Sequence, residues 1–251
     1  MEFTHQGYRG LLHLLRDKGY AFTDYFSWMD KPRCVILRHD IDFSLDCALR
    51  FSELERAEGV ASTWFVLLKT DFYNVFTEEN RAKLRRLQEN GGTIGLHFDE
   101  SQYTMQLKPL LEQDGAYQAR LCALIREEAA VLGNLLQTEI RSVAMHCPAP
   151  SLLERDLEIP GMVNTYGKTF FREFKYLSDS RMHWREDVDG IVAGQKYPHL
   201  QILTHAFWYQ ETAVPMKERL RDFCRAACAE RYRSLNENFS ALDEVLRPEE
   251  L

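Results

Sequence analysis

The stretch that decides the fold is Cys34–Asp42, CVILRHDID, in which an apolar run leads directly into a charged one. The apolar, partly β-branched run predicts a buried strand over Cys34 to His39. Asp40 and Asp42 follow two residues apart, so in an extended segment their carboxylates point to the same side. The stretch therefore predicts a strand that delivers a pair of carboxylates to one place.

Three further segments repeat this arrangement of an apolar run followed by a histidine. They are Thr93–Leu96 before His97, Arg141–Met145 before His146, and Leu200–Thr204 before His205. In a parallel barrel the carboxyl ends of the strands meet at one mouth, so we expect these side chains to converge. Two carboxylates and several imidazoles in one concavity are typical of a divalent-metal site with groups left for acid–base chemistry.

The rest of the chain alternates helical patterns with short apolar runs. We expect helices over Gln6–Lys18, Leu45–Glu58 with Ser44 as N-cap, Thr77–Asn90, Leu110–Gln137 and Pro215–Val245, and further strands over Val60–Leu68 and Lys175–Leu177. Strand and helix in alternation predict an α/β fold, a distorted or incomplete (β/α) barrel. Without an internal repeat or linker, one domain over residues 1–251 is the simplest interpretation.

Composition excludes several classes of protein. The 251 residues carry a formal net charge of −7, with 45% hydrophobic and 27% charged residues, as in an ordinary globular enzyme. No long basic run exists, so nucleic acid is not an expected partner. The N-terminus lacks a signal-peptide pattern and no apolar run is long enough to span a bilayer, so we expect a cytoplasmic protein.

Each candidate residue alone is weak evidence. An aspartate after a strand is often the N-cap of the next helix, and Asp42 is open to that interpretation. A lone histidine at a strand end is more often a hydrogen-bonded structural residue than a ligand. The histidines outside predicted strand ends are expected at the surface or in the core; they are His5, His13, His183 and His199.

The segments Arg38–Asp42, Ile94–Asp99 and Leu203–His205 resemble, in order and spacing, the motifs of the polysaccharide deacetylase superfamily of carbohydrate esterases. The resemblance is greatest to a branch with a His-Asp-x-Asp opening, associated with bacterial surface glycans such as lipopolysaccharide O-antigen. It runs from about Cys34 to Tyr209 and implies the distorted (β/α) barrel of that superfamily.

The resemblance also implies roles for matching residues. Asp40 is similar in position to the general base, Asp42 to a metal ligand, His97 to the first histidine ligand and His205 to the general acid. The superfamily pattern has a second histidine four residues after the first, but this chain has Ser101 there.

A third ligand must therefore come from elsewhere, since two ligands bind metal poorly. Our choice is His146, with Asp99 and His39 as alternatives. The expected cofactor is one Zn²⁺, or another divalent transition metal, per chain.

A fourth motif is similar to Tyr176–Ser180 followed by His183–Arg185. It implies that this region shapes the substrate pocket and helps orient the base, which makes Asp179 and Trp184 candidate site residues. We add Arg38 and Trp208 as candidate substrate-binding residues; core packing is the alternative for both tryptophans. Arg38 or Arg185 would pair with Asp40 and hold it ionised.

The function implied is metal-dependent hydrolysis of an N-acyl group, acetyl or formyl, on an amino sugar. A cytoplasmic enzyme would act on a nucleotide- or lipid-linked sugar in surface-polysaccharide biosynthesis. Two alternatives stay open: a metal-assisted C–N hydrolase of a small non-sugar amide, and a non-catalytic glycan-binding relative, which Ser101 suggests.

Overall fold

The computed structural model describes residues 1–148, 152–153 and 156–251. These residues form two compact units, Met1–Glu211 and Thr212–Leu251, and the first contains every predicted site residue. One domain over the whole chain stays a prediction, because compactness alone does not show that a unit folds by itself.

The first unit is built on a parallel sheet that has eight strands within the described ranges. They are β1 Ala21–Thr23, β2 Cys34–Ile41, β3 Thr63–Leu67, β4 Thr93–Phe98, β5 Ser142–Met145, β6 Val163–Asn164, β7 Lys175–Ser178 and β8 His199–Thr204. The order is β6-β5-β4-β3-β2-β8-β7, with β1 beside the start of β2. The sheet curls into a half-barrel, which confirms the predicted incomplete (β/α) barrel.

Helices surround this sheet and fill the connections between its strands. In the first unit they are α1 His5–Asp17, α2 Leu45–Ala57, α3 Glu78–Glu89, α4 Thr104–Leu107, α5 Asp114–Leu136 and α6 Val188–Gly194, with 3₁₀ turns at Glu100–Tyr103, Lys108–Leu110 and Ala206–Trp208 and a π-helical turn at Thr169–Glu173. The predicted helices and strands of this unit are confirmed within a few residues at most ends. The short elements β1, β6, α4 and α6 were not predicted.

The second unit contains α7, Met216–Asn236, and 3₁₀ turns at Leu242–Glu244 and Pro248–Glu250. The prediction of one helix from Pro215 to Val245 is wrong at its end. After Asn236 come Asn238 and Ser240, whose side chains compete for backbone hydrogen bonds and favour turns.

Strand β2 is buried along its whole length, as expected for a central parallel strand covered on both faces. Alternate residues face opposite sides, so Cys34 and Ile36 belong to the core inside the half-barrel. Asp40 continues this inner row, whereas His39 points outward and contacts Glu55 of α2. The alternation along β2 therefore places Asp40, and not His39, in the site.

The start of α2 shows that Asp42 is not the N-cap of this helix. Ser44 is the N-cap, and its hydroxyl accepts a hydrogen bond from the Cys47 backbone N–H at 3.3 Å. The capping position is therefore taken, and the Asp42 carboxylate is available to the site.

No helix within the described ranges is long and apolar enough to cross a membrane.

Candidate metal centre and active site

The structure brings the predicted strand-end residues together at the carboxyl edge of the sheet. Asp42 Oδ1 lies 3.2 Å from His97 Nε2 and 3.7 Å from His146 Nδ1. His205 Nε2 lies 3.6 Å from Asp42 Oδ2, and His97 Nε2 lies 3.6 Å from Asp40 Oδ2. Four strand ends thus contribute to one cluster, as the parallel arrangement predicts.

Within this cluster, Asp42, His97 and His146 form a group that fits a metal ion. Each offers one ligand atom, and these atoms all lie within 4.8 Å of one another. His97 Nδ1 donates to the Ala144 carbonyl at 2.9 Å, which leaves Nε2 free as a ligand.

Asp42 Oδ1 supports the same interpretation, because it is buried without a hydrogen-bond partner among the described residues. A buried carboxylate oxygen without a partner is costly, and a cation would satisfy it.

The electrostatics of this group favour a positive charge. Burial would raise the pKa of Asp42, but the neighbouring imidazoles of His97, His205 and His146 lower it overall. Burial would lower the pKa of His97, but the Asp40 and Asp42 carboxylates outweigh this and raise it. Protons therefore compete with a metal for the imidazole, and metal affinity would rise with pH.

Asp40 is held by Arg38 through two hydrogen bonds. Arg38 Nε donates to Asp40 Oδ1 at 2.8 Å and Nη2 donates to Oδ2 at 2.7 Å, with the two side chains 0% and 4% exposed. Burial would raise the pKa of Asp40, but the Arg38 and His97 charges lower it overall. The carboxylate stays ionised at neutral pH, which a proton acceptor requires.

Arg38 is itself fixed from the other side of the half-barrel. Its Nη1 donates to Thr165 Oγ1 at 3.0 Å, and its guanidinium carbon lies 4.6 Å from the centroid of the Tyr166 ring. The predicted pairing with Asp40 is confirmed for Arg38 and not for Arg185.

His205 is held by Asp179, which follows β7. The His205 Nδ1 and an Asp179 carboxylate oxygen are 2.6 Å apart, and the His205 backbone N–H donates to both oxygens of that carboxylate. Burial would lower the pKa of His205, but the charge and hydrogen bond of Asp179 raise it to about 9. The ring is therefore a protonated imidazolium at neutral pH, as a proton donor must be.

A pocket of about 890 Å³ opens above these groups. Its lining includes Asp40, Asp42, His97, His146 and His205 and a set of aromatic side chains: Phe43, Phe72, Tyr166, Phe171, Tyr176, Trp184 and Trp208. A concave, largely apolar surface with a few converging polar groups is typical of a small-molecule site.

The structure places the predicted substrate-binding residues at two depths. Trp184 and Trp208 line the pocket, as expected. Arg38 and Asp179 do not: both residues are 0% exposed and contact Asp40 and His205 instead. A fully buried side chain cannot touch a substrate, so we correct the substrate-binding assignment of both residues. They are placed to orient Asp40 and His205, a role that the sequence also implied for them.

The alternative ligand His39 lies outside the cluster because β2 turns it to the opposite face. Its Nε2 is 2.9 Å from Glu55 Oε1 and its Nδ1 is 2.6 Å from Thr204 Oγ1. Both ring nitrogens are therefore occupied in the core.

Asp99, the other alternative, caps the turn that begins at Glu100. It accepts hydrogen bonds from the Ser101 backbone N–H at 2.9 Å and from the Gln102 side chain at 3.2 Å. Ser101 is exposed, and His146 occupies the third place in the group instead.

The four histidines expected outside the site do lie outside the pocket lining. His5 contacts Glu211, His13 contacts Glu58, His199 contacts the Lys31 carbonyl, and the backbone N–H of His183 donates to the Asp179 carbonyl. The contributions of Thr165, Tyr166 and the Ala144 carbonyl were not predicted. The region containing Thr165 and Tyr166 has no regular hydrophobic period that would have indicated them.

No family model matches the sequence, and no curated protein matches it. Solved structures of carbohydrate esterases, the class whose motifs the sequence resembles, show a weak similarity to this chain. A family 4 pseudoenzyme from Bacillus anthracis gives a TM-score of 0.44 at 13% identity, over 78% of this chain and 62% of that chain. A family 4 carbohydrate esterase from Bacillus anthracis gives 0.43 at 12%, over 84% and 82%.

The chitin deacetylase of the fungal pathogen Colletotrichum lindemuthianum gives a TM-score of 0.41 at 16% identity, over 78% of this chain and 83% of that chain. This chain spans less than two thirds of the Bacillus anthracis pseudoenzyme. At such identities and TM-scores the matches carry no argument about this chain, and its chemistry rests on its own residues.

Proposed function

We propose that this protein is a metal-dependent hydrolase that removes an N-acyl group from an amino sugar. One observation carries the proposal: the Asp42–His97–His146 group lies between an ionised carboxylate, Asp40, and a protonated imidazole, His205. Two imidazoles and one carboxylate are a usual ligand set of catalytic zinc, so Zn²⁺ is the cation we favour, one per chain.

Amide hydrolysis needs activation of the carbonyl, a base for the attacking water and an acid for the leaving nitrogen. A divalent cation at the three-residue group would polarise the carbonyl oxygen and make a water more acidic. Asp40 takes the water proton, and Arg38 holds its carboxylate in one orientation while it does so. A base or acid of this kind typically contributes about 10²–10⁴-fold.

His205 supplies the proton that lets the amine leave. Its Nδ1 faces Asp179 while its Nε2 lies on the Asp42 side, so Nε2 is the atom that donates. Asp179 keeps the ring charged and fixes its orientation.

Trp184 and Trp208 support a sugar as the substrate, because sugar rings present apolar C–H faces that pack on aromatic rings. The acyl group is acetyl or formyl. We place the sugar on a nucleotide or lipid carrier in cytoplasmic surface-polysaccharide biosynthesis, which the resemblance of the sequence motifs supports. We favour catalysis over the non-catalytic alternative, because His146 offers a ligand atom in place of the one that Ser101 does not provide.

Metal content and acyl release test the proposal. Untagged protein should contain about one divalent transition ion per chain by elemental mass spectrometry. The same protein should release acetate or formate from N-acyl amino sugars, and a chelator should abolish this release. No metal after incubation with zinc would contradict the proposal, and ammonia release from ureides instead would favour hydrolysis of a small non-sugar amide.

The pH profile of an Asp179→Asn variant tests the role of His205. Asparagine keeps the shape but removes the negative charge that raises the His205 pKa to about 9. A general acid loses activity as pH rises through its pKa, so the upper limb of kcat/KM should move to lower pH, by about 1–3 units. A bound cation would lower the pKa of His205 in wild type and variant alike. The measured quantity is therefore the difference between the two proteins in the pH of the upper limb.

The matched control is Asp17→Asn, which changes an exposed carboxylate at the end of α1. It should leave the upper limb of the pH profile where it is in the wild type. An unchanged upper limb in Asp179→Asn would remove His205 from the role of general acid.

A further inference from the structure

The segment that follows β7 is held in an unusual backbone conformation. Arg181 and Met182 are consecutive non-glycine residues with positive φ, 60° and 53°. Such conformations persist only where surrounding contacts hold them, and they cluster at binding sites. Here the Asp179 carbonyl accepts from the His183 N–H at 3.2 Å, and the Ser180 N–H donates to Ser178 Oγ at 3.2 Å.

This turn carries two arginines into the pocket lining. Arg181 and Arg185 both line the pocket and are exposed. Neither forms an ion pair with a residue in the described part of the chain. The third cation of the lining, Lys69, is already 3.6 Å from the Glu128 carboxylate.

Two of the acids that line the pocket are already paired with other cations. Glu186 accepts two hydrogen bonds from Lys175, at 2.6 and 2.7 Å, and Asp40 is paired with Arg38. Two guanidinium groups without an ion-pair partner among the described residues therefore lie together on one rim of the pocket, whose lining also carries the carboxylates of Asp42, Asp71 and Asp99. These guanidinium groups would attract an anionic part of a ligand.

The chemistry of the two arginine side chains indicates which class of anion they would bind. A guanidinium presents a planar fork of N–H donors that matches the oxygens of a phosphate, and it remains charged at every relevant pH. The pocket volume of about 890 Å³ lies near the upper end of small-molecule sites, about 300–1,000 Å³, which leaves room beyond one sugar ring.

We propose that Arg181 and Arg185 bind a phosphate or diphosphate ester on the amino sugar, so that the substrate is a phosphorylated N-acyl amino sugar. The inference rests on the proposed function and deepens it. Trp184, which lines the pocket between them in sequence, would pack on the sugar while the arginines hold its phosphate. A nucleotide and a lipid carrier share this chemistry, and the experiment separates them.

The test is calorimetric titration of ligands into the zinc-loaded Asp40→Asn protein. Because this variant lacks the proposed base, the ligands stay intact while their affinity is measured. The probes are UDP-N-acetylglucosamine, farnesyl-diphosphate-linked N-acetylglucosamine and the phosphate-free methyl glycoside of N-acetylglucosamine. Inorganic diphosphate, titrated into metal-free protein, separates binding by the arginines from binding by zinc. We expect at least one phosphate-bearing sugar to bind roughly tenfold or more tightly than the methyl glycoside. The tighter of the two identifies the carrier.

Arg181→Gln and Arg185→Gln, introduced together, should remove most of the difference in affinity between the phosphate-bearing sugar and the methyl glycoside. They should also abolish binding of diphosphate to the metal-free protein. The matched control is Arg85→Gln, an exposed arginine of α3 outside the pocket lining, which should change neither. Affinities that are equal with and without phosphate overturn the inference, as does an advantage that survives in the double variant. Acyl release from the methyl glycoside by wild-type protein tests the proposed function separately.

Discussion

An Asp40→Asn variant should lose about 10²–10⁴-fold in kcat while it keeps its metal and binds the amino sugar with little change. The side chain keeps its size and one oxygen that accepts from Arg38, but an amide cannot take a proton from water. Since Asp40 is not one of the three residues of the metal group, metal content should stay at the wild-type value. Single-turnover kinetics and elemental mass spectrometry measure the two quantities on one preparation.

The variant also alters a buried ion pair, and a fall in activity through unfolding must be separated from loss of the base. Removing the charge of Asp40 leaves Arg38 with Thr165 and Tyr166 as partners, and breaking a buried pair typically costs about 3–5 kcal/mol. Thermal unfolding of the variant reports this loss. Asp46→Asn, a carboxylate at the surface paired with Lys83, is the control for a lost ion pair. Near wild-type turnover in folded Asp40→Asn would remove Asp40 as the base.

The sequence is sufficient to predict the convergence of the site, because convergence follows from parallel strands alone. Apolar runs that end in Asp40, His97, His146 and His205 have to bring those residues to one edge once the strands pair in parallel. The choice of His146 as the third ligand followed from the same rule.

The period of β2 also separates Asp40 from His39, since adjacent residues of a strand face opposite sides. His39 was kept as an alternative ligand on residue type alone, whereas its position between two inward-facing residues already argued against it. Its contacts with Glu55 and Thr204 belong to the core between sheet and helices.

The support beneath the site could not be predicted in the same way. Arg38 reaches Thr165, 127 residues along the chain, and Asp179 reaches His205 from the neighbouring strand. The Arg38–Thr165 contact depends on how the chain around Thr165 packs into the half-barrel, and no hydrophobic period records that packing. The sequence predicted the pairing of Arg38 with Asp40, but it also assigned Arg38 and Asp179 to substrate binding, although both lie beneath the pocket.

The largest effect on the metal centre is expected from His97→Ala. His97 is the middle of the group: its Nε2 lies 3.2 Å from Asp42 Oδ1 and 3.2 Å from His146 Nδ1. Its removal leaves two ligands, so metal affinity should fall by more than the 10–100-fold typical of losing an outer-shell partner. Activity should fall with it, and competition with a chromophoric chelator measures the affinity.

His97 is buried, so the substitution also leaves a cavity in the protein. Asp42→Asn, which removes one of the other ligands with little change in volume, should show the same loss of metal without that cavity. His13→Ala, at an exposed histidine bound to Glu58, is the control and should keep about one metal per chain. Full metal content in a folded His97→Ala protein would exclude His97 from the ligands and require a metal site built without β4. Metal retained in His97→Ala but lost in Asp42→Asn would instead mean that Asp42 and His146 bind the ion with a ligand from solvent.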